Sequence, residues 1–187
     1  MGRKRPHTGE AARPGARRAG APAGGQLKAV AFIGHKGSGK TAFICELIPV
    51  LRARGFRAGT VKHVSPQVEP DSPGKDTHRH RLAGAERVLM YSDRHGALFW
   101  DHHGTDVSDF IRRFLGDLDL VILEGFKTSP YPKIEIYSSG EPLAGRIPVL
   151  AVITDRAVVV PNGIEVLPKD PEAVADFIEA EVPEFPF

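Results

Sequence analysis

At 187 residues, 41% apolar and 26% charged, with a formal net charge of +2, the chain has the size and composition of one compact domain plus an appendage. No apolar run is longer than "AVAFI", far below the ~18 residues a bilayer-spanning helix needs, so the chain reads as soluble and no membrane role is expected. Its one cysteine, Cys45, cannot close an internal disulfide, which points to a reducing, cytoplasmic setting. Within a helical pattern that cysteine is expected to be small and buried.

Residues 1–26 hold six basic residues, one acid and nine glycines or prolines, with no large apolar residue after Met1. Such a segment cannot bury enough surface to offset its chain entropy and reads as a disordered basic tail. It lacks the apolar stretch of a secretory signal. Because the basic excess sits in this tail, the remaining chain is acidic overall. A solvated extension is expected, and nucleic-acid binding is not.

Residues 27–187 read as one domain. "LKAVAFIG" predicts a buried strand, and Phe43, Ile44, Leu47, Ile48 and Leu51 mark one face of a helix ending at Gly55. Pro49 falls inside that helix and should bend or shorten it. "RAGTVKH" predicts a second strand, "VSPQVEPDSPGKD" a long loop of functional character, and "THRHRLAGA" a short helix. "RVLMYS" and "GALFW" predict strands joined by a tight turn, with Trp100 at the core or rim of that hairpin. "DVSDFIRRFLGD" is an amphipathic helix; "LDLVILEG", "KIEIYS" and "IPVLAVITD" are strands. "DPEAVADFIEAEV" predicts a last helix with Asp170 as its cap and Pro171 at its first position. Unbroken apolar runs predict a mostly parallel sheet covered on both faces, an α/β fold in three layers.

Between the first strand and helix, "GHKGSGKT" matches the phosphate-loop pattern G-x-x-x-x-G-K-[ST] in its proper setting. Gly34, His35, Lys36, Gly37, Ser38 and Gly39 would wrap a phosphate with backbone N–H groups, and the helix N-terminus adds partial positive charge. Lys40 would reach the β- and γ-phosphates, and Thr41 would offer its hydroxyl to Mg²⁺. A site of this kind needs a carboxylate at a neighbouring strand end. Glu124, closing "LDLVILE", is the candidate, with Asp71 in the long loop beside it. Lys62 and His63 finish the second strand at the same sheet edge and are further candidates. No catalytic residue is assigned beyond Asp71 and Glu124 as candidates.

The histidines do not make a metal site by spacing, since His78 and His80 are two apart on a helix and His102 and His103 are adjacent in a loop. The guanine-reading Asn-Lys-x-Asp pattern is absent, and Asp155 in "AVITD" is the residue that could take its place. From this chemistry alone GTP and ATP stay open.

Beyond the phosphate loop, "LIPVLRARGFRAGTVKH", "DSPGKDTHRHRLAGA", "LDLVILEGFK" followed by "PKIEI", and the late "AVITD" together resemble the molybdopterin-guanine dinucleotide biosynthesis adaptor (MobB) family of P-loop NTPases. The resemblance spans most of residues 28–180. It implies a GTP- and Mg²⁺-binding homodimer with at most feeble GTPase activity. It also implies a partner, a MobA-like molybdenum cofactor guanylyltransferase that attaches GMP to molybdopterin. Family roles then fall on residues 34–41 for phosphates, on Thr41 with Asp71 or Glu124 for Mg²⁺, and on Asp155 for the base. His35 and Lys36 and the long basic arm depart from the family pattern. The alternative is a P-loop small-molecule kinase using ATP, with Asp71, Arg79 and Arg81 recruited to it, although "LEGFK" and a missing lid helix oppose that. A GTP-driven nickel or cobalt chaperone is disfavoured by the histidine spacing.

Overall fold

β1 (Lys28–Ile33) is buried from Ala29 to Ile33, because both of its faces are covered. Successive strand residues point to opposite sides, and the two cores divide accordingly. Val30 and Phe32 join the core beneath α1 (Lys40–Ala53) and α4 (Pro171–Glu181), while Ala29, Ala31 and Ile33 join the core that holds Ile111 of α3 (Val107–Leu115). β5 (Leu120–Glu124) repeats the division, with Leu120 and Ile122 on the first side and Val121 and Leu123 on the second. This computed structural model describes residues 27–64, 68–101 and 104–184. The expected basic tail, and His102 and His103, lie outside the described residues.

Six strands form the central sheet in the order β2-β5-β1-β6-β7-β8, where β2 is Ala58–Lys62, β6 Lys133–Ile136, β7 Ala151–Ile153 and β8 Glu165–Leu167. Every pairing in it is parallel, and helices cover both sides, as the unbroken apolar runs require. β8 was not among the expected strands. It has three residues, two of them exposed, too little apolar signal to register in the sequence.

α1 begins at the end of the glycine loop and runs to Ala53 without being shortened at Pro49. A proline removes the bond to the carbonyl four residues earlier, here that of Cys45. Pro49 and Cys45 are both exposed, so water can satisfy that carbonyl. The expectation of a buried Cys45 is therefore corrected: Phe43, Ile44, Leu47 and Leu51 take the core face, and Cys45 is turned to the other side. At the far end of α1, Arg54 bonds Glu172, Asp176 and Glu179 of α4 at 2.5, 2.6 and 2.9 Å, joining the two helices of that layer. The capping of α4 is as expected, with Asp170 accepting from the Glu172 N–H at 3.1 Å and Pro171 in first place.

β3 (Arg87–Tyr91) and β4 (Gly96–Trp100) pair antiparallel as a separate two-stranded sheet, preceded by the short α2 (Asp76–Leu82). Trp100 anchors the hairpin, its ring centroid 5.1 Å from that of Phe110 and 5.7 Å from that of Phe114 on α3.

One buried carboxylate has a structural task. Glu135 on β6 is fully buried and accepts from the N–H groups of Leu143 and Ala144, each at 2.9 Å. Those donors open the 3₁₀ turn Leu143–Gly145, so Glu135 caps that turn. Among the described residues no helix is long and apolar enough to cross a membrane.

Candidate functional site

The glycine loop leaves the carboxyl end of β1, the edge at which ligands gather in open α/β sheets. Gly34 has φ +152°, and a Cβ there would lie 2.5 Å from the Ile136 carbonyl oxygen and 2.6 Å from Ser38 Oγ. Only glycine fits, because β6 packs against the loop at its first residue. Gly37 and Gly39 have φ +80° and +88°, conformations that turn the backbone around a centre. His35, Lys36 and Gly37 form the exposed crest, and Ser38 is buried beneath it. His35 is held by a 2.9 Å contact from its Nε2 to the Glu141 carbonyl, in the segment whose next turn Glu135 caps.

Lys40 curls back over this loop, donating to the carbonyl of His35 at 2.8 Å, that of Gly34 at 3.3 Å, and Ser38 Oγ at 3.4 Å. Its ammonium is held below the ordinary lysine range, first by burial and then by Lys127 and Lys62, against the upward pull of Glu124. The charges of Lys62 and Lys127 thus act with that of Lys40 against one carboxylate. That excess of positive charge suits a polyphosphate.

Thr41 and Glu124 meet at this edge. Thr41 Oγ1 donates to Glu124 Oε1 at 2.7 Å, and Lys62 Nζ lies 3.1 Å from that oxygen and 3.3 Å from Thr41 Oγ1. The strand register explains the meeting, since Glu124 is the partner of Phe32 on one side and of Lys62 on the other. Two hard oxygen ligands with a cation already between them fit Mg²⁺, which takes one or two protein oxygens and completes its shell with phosphates and water.

Past Glu124 the chain turns sharply. Gly125 and Phe126 both have positive φ, +97° and +55°, and Phe126 is the one non-glycine residue so placed among those described. The His63 ring meets Phe126 edge-on at 5.3 Å, and a Cβ on Gly125 would press to 3.3 Å from that of His63. His63 therefore buttresses the turn that joins Glu124 to Lys127. Lys127 was not singled out from the sequence, although it closes the "LEGFK" stretch that carried the family resemblance.

On the other flank, Asp155 follows β7 and accepts from the Lys169 N–H at 3.0 Å. Lys169 Nζ in turn sits over the start of α1, 3.4 Å from where a Cβ on Gly39 would be. Lys169 too was missed, because it stands in a short connection without a motif. Asp71 does not join the cluster. Its Oδ1 accepts from the Ser72 N–H at 2.7 Å and the Thr77 hydroxyl at 2.9 Å, its Oδ2 is buried without a partner, and none of its bonds reaches Thr41 or Glu124. Arg79 and Arg81, the residues a kinase reading would recruit, are paired with Asp76 and with Glu69 and Asp101.

Comparison with known proteins shows the family and the fold. A family model described as Molybdopterin guanine dinucleotide synthesis protein B matches residues 29–155. Over 161 residues the chain is 36% identical to the molybdopterin-guanine dinucleotide biosynthesis adapter protein of Escherichia coli (strain K12), covering 80% of this chain and 90% of that one. The corresponding adapter protein of Haemophilus influenzae is 32% identical over 161 residues, covering 82% and 89%. The crystal structure of Bacillus subtilis MobB superposes with a TM-score of 0.68 at 24% identity, over 84% of this chain and 99% of that one, which shows a common fold.

Proposed function

This chain belongs to the molybdopterin guanine dinucleotide synthesis protein B family, and from that premise we propose that it is an adapter that holds GTP and Mg²⁺ for a partner enzyme. The observation that carries the reading is the meeting of Thr41, Glu124 and Lys62 beside the Lys40 loop. Backbone N–H groups of residues 34–41 bind the β-phosphate, and Lys40 exchanges its own-loop carbonyls for β- and γ-phosphate oxygens. Thr41 and Glu124 hold Mg²⁺, which neutralises the triphosphate. Asp155 accepts from the guanine N1 and 2-amino donors, leaving adenine without a match, and Lys169 lines the same flank.

Turnover is slow in this reading. Fast hydrolysis needs a residue that orients the attacking water and an added positive charge in the transition state. Glu124 is engaged with Thr41 and Lys62, and Asp71 with its own loop, so neither is poised as a base. The site is suited to holding the nucleotide until a partner completes the chemistry. That partner is a MobA-like guanylyltransferase acting on molybdopterin, in the cytoplasm, with the adapter present as a homodimer. Leu89 and Tyr91, both exposed and two apart on one face of β3, supply an apolar surface that suits self-association.

A titration of GTP against ATP, with and without Mg²⁺, tests the reading. GTP should bind more tightly, and Mg²⁺ should strengthen it. A preference for ATP beyond about tenfold, roughly 1.4 kcal/mol, overturns it. Lys40→Ala should abolish triphosphate binding while thermal unfolding stays unchanged, and retained GTP affinity in that variant would remove the site assignment.

A further inference from the structure

Lys62 ends β2, the edge strand of the central sheet, and its backbone is pinned there. It is the register partner of Glu124, and the next N–H, that of His63, donates to the Glu124 carbonyl at 3.0 Å. Only the side chain is free to turn. That side chain is 53% exposed, against 16% for Glu124, and it carries its charge on a flexible four-carbon stem. Among the described residues its ammonium has one ion-pair partner, Glu124 Oε1, and donates one hydrogen bond, to Thr41 Oγ1. An ammonium has three donors, so capacity remains.

Lys40 is placed otherwise. It folds over its own loop, onto the carbonyls of Gly34 and His35 and onto Ser38 Oγ, whereas Lys62 comes to Thr41 from a strand two places away from β1. Two lysines that arrive from different elements need not serve the same phosphate. A half-exposed ammonium–carboxylate pair is weak, and a terminal phosphate, with more negative charge and three free oxygens, is the stronger partner for the same ammonium.

We propose that Lys62 reads the terminal phosphate of the bound nucleotide, turning from Glu124 and Thr41 to a γ-phosphate oxygen when a triphosphate is present and staying with them when a diphosphate is. The site then separates GTP from GDP by binding alone. Lys62 adds charge but orients no water, so slow turnover is kept. The choice of a guanosine triphosphate rests on the adapter reading above.

Calorimetry on the full chain with Mg²⁺ tests this without turnover, using GTPγS and GDP in separate arms. The wild type should prefer GTPγS. Lys62→Met and Lys62→Gln should each lower that preference about tenfold, with the thermal midpoint unchanged, and Lys62→Arg, which keeps the charge, should retain it. An equal loss for both nucleotides would make Lys62 a general source of positive charge and overturn the assignment. So would a preference unchanged in Lys62→Met and Lys62→Gln, or a wild type that binds both nucleotides equally; each of these leaves the adapter reading standing. A preference lost in Lys127→Met but kept in Lys62→Met gives the task to Lys127 and overturns it for Lys62. A wild type that binds neither nucleotide overturns both readings together.

Discussion

Gly34 shows how a single atom can be excluded. A methyl there meets the Ile136 carbonyl and Ser38 Oγ at 2.5 and 2.6 Å and demands a φ that other residues avoid. Gly34→Ala should cost about 2–4 kcal/mol of stability, seen as a lowered thermal midpoint, as well as losing GTP binding. A variant with wild-type stability would show that the loop can shift away from β6. This glycine, Lys40, Thr41 and Glu124 were legible in the sequence because a motif and a strand end fix them. Lys127 and Lys169 were not, since their nearness to Lys40 and Gly39 arises through a positive-φ turn and a late crossover. Asp71 read as a metal candidate by charge and position, yet its carboxylate is bound to Ser72 and Thr77.

At the scale of elements, Glu135 ties β6 to the 3₁₀ turn, and that segment in turn holds His35. Glu135→Ala would leave two buried N–H groups unpaired and should destabilise by about 2–4 kcal/mol, measured by denaturant unfolding. Triphosphate affinity should fall too, as the crest loses its brace. An effect under ~0.5 kcal/mol would mean that water replaces the carboxylate. Tyr131, which precedes β6, offers a pH-dependent check. Burial first, and then the Asp106 charge, push its hydroxyl up to about 12 from 10.0. The neutral phenol is the form the fold prefers, so its stabilisation is full below pH 10 and is lost as pH rises through 12. Between pH 9 and 11 the wild type should lose more thermal stability than Tyr131→Phe; equal losses would remove Tyr131 as the cause. The long strands β1 and β5 and the capped α4 were plain from pattern alone. The three-residue β8 and the 3₁₀ turn were not, for they are held by register and by Glu135 rather than by local preference.

Across the whole molecule, the order of strands decides which side chains meet. β5 lies between β1 and β2, so the carboxylate ending β5 stands beside both the loop that follows β1 and the lysine that ends β2. Nothing in the linear spacing of Thr41, Lys62 and Glu124 announces this; parallel pairing in register does. The hairpin stands apart from that sheet, and its exposed Leu89, Met90 and Tyr91 were read only as strand residues. The consequence for Lys62 is a contest. Its ammonium lies within 3.3 Å of both oxygens that Mg²⁺ would claim, so the protein carries a tethered rival for its own metal. Metal entry must evict that rival, and an exposed pair of this kind is worth at most about 1 kcal/mol. Lys62→Ala should therefore tighten Mn²⁺ binding in the absence of nucleotide by up to about fivefold, measured by electron paramagnetic resonance. Weaker or unchanged Mn²⁺ binding would show that Lys62 guides the metal in rather than holding its place.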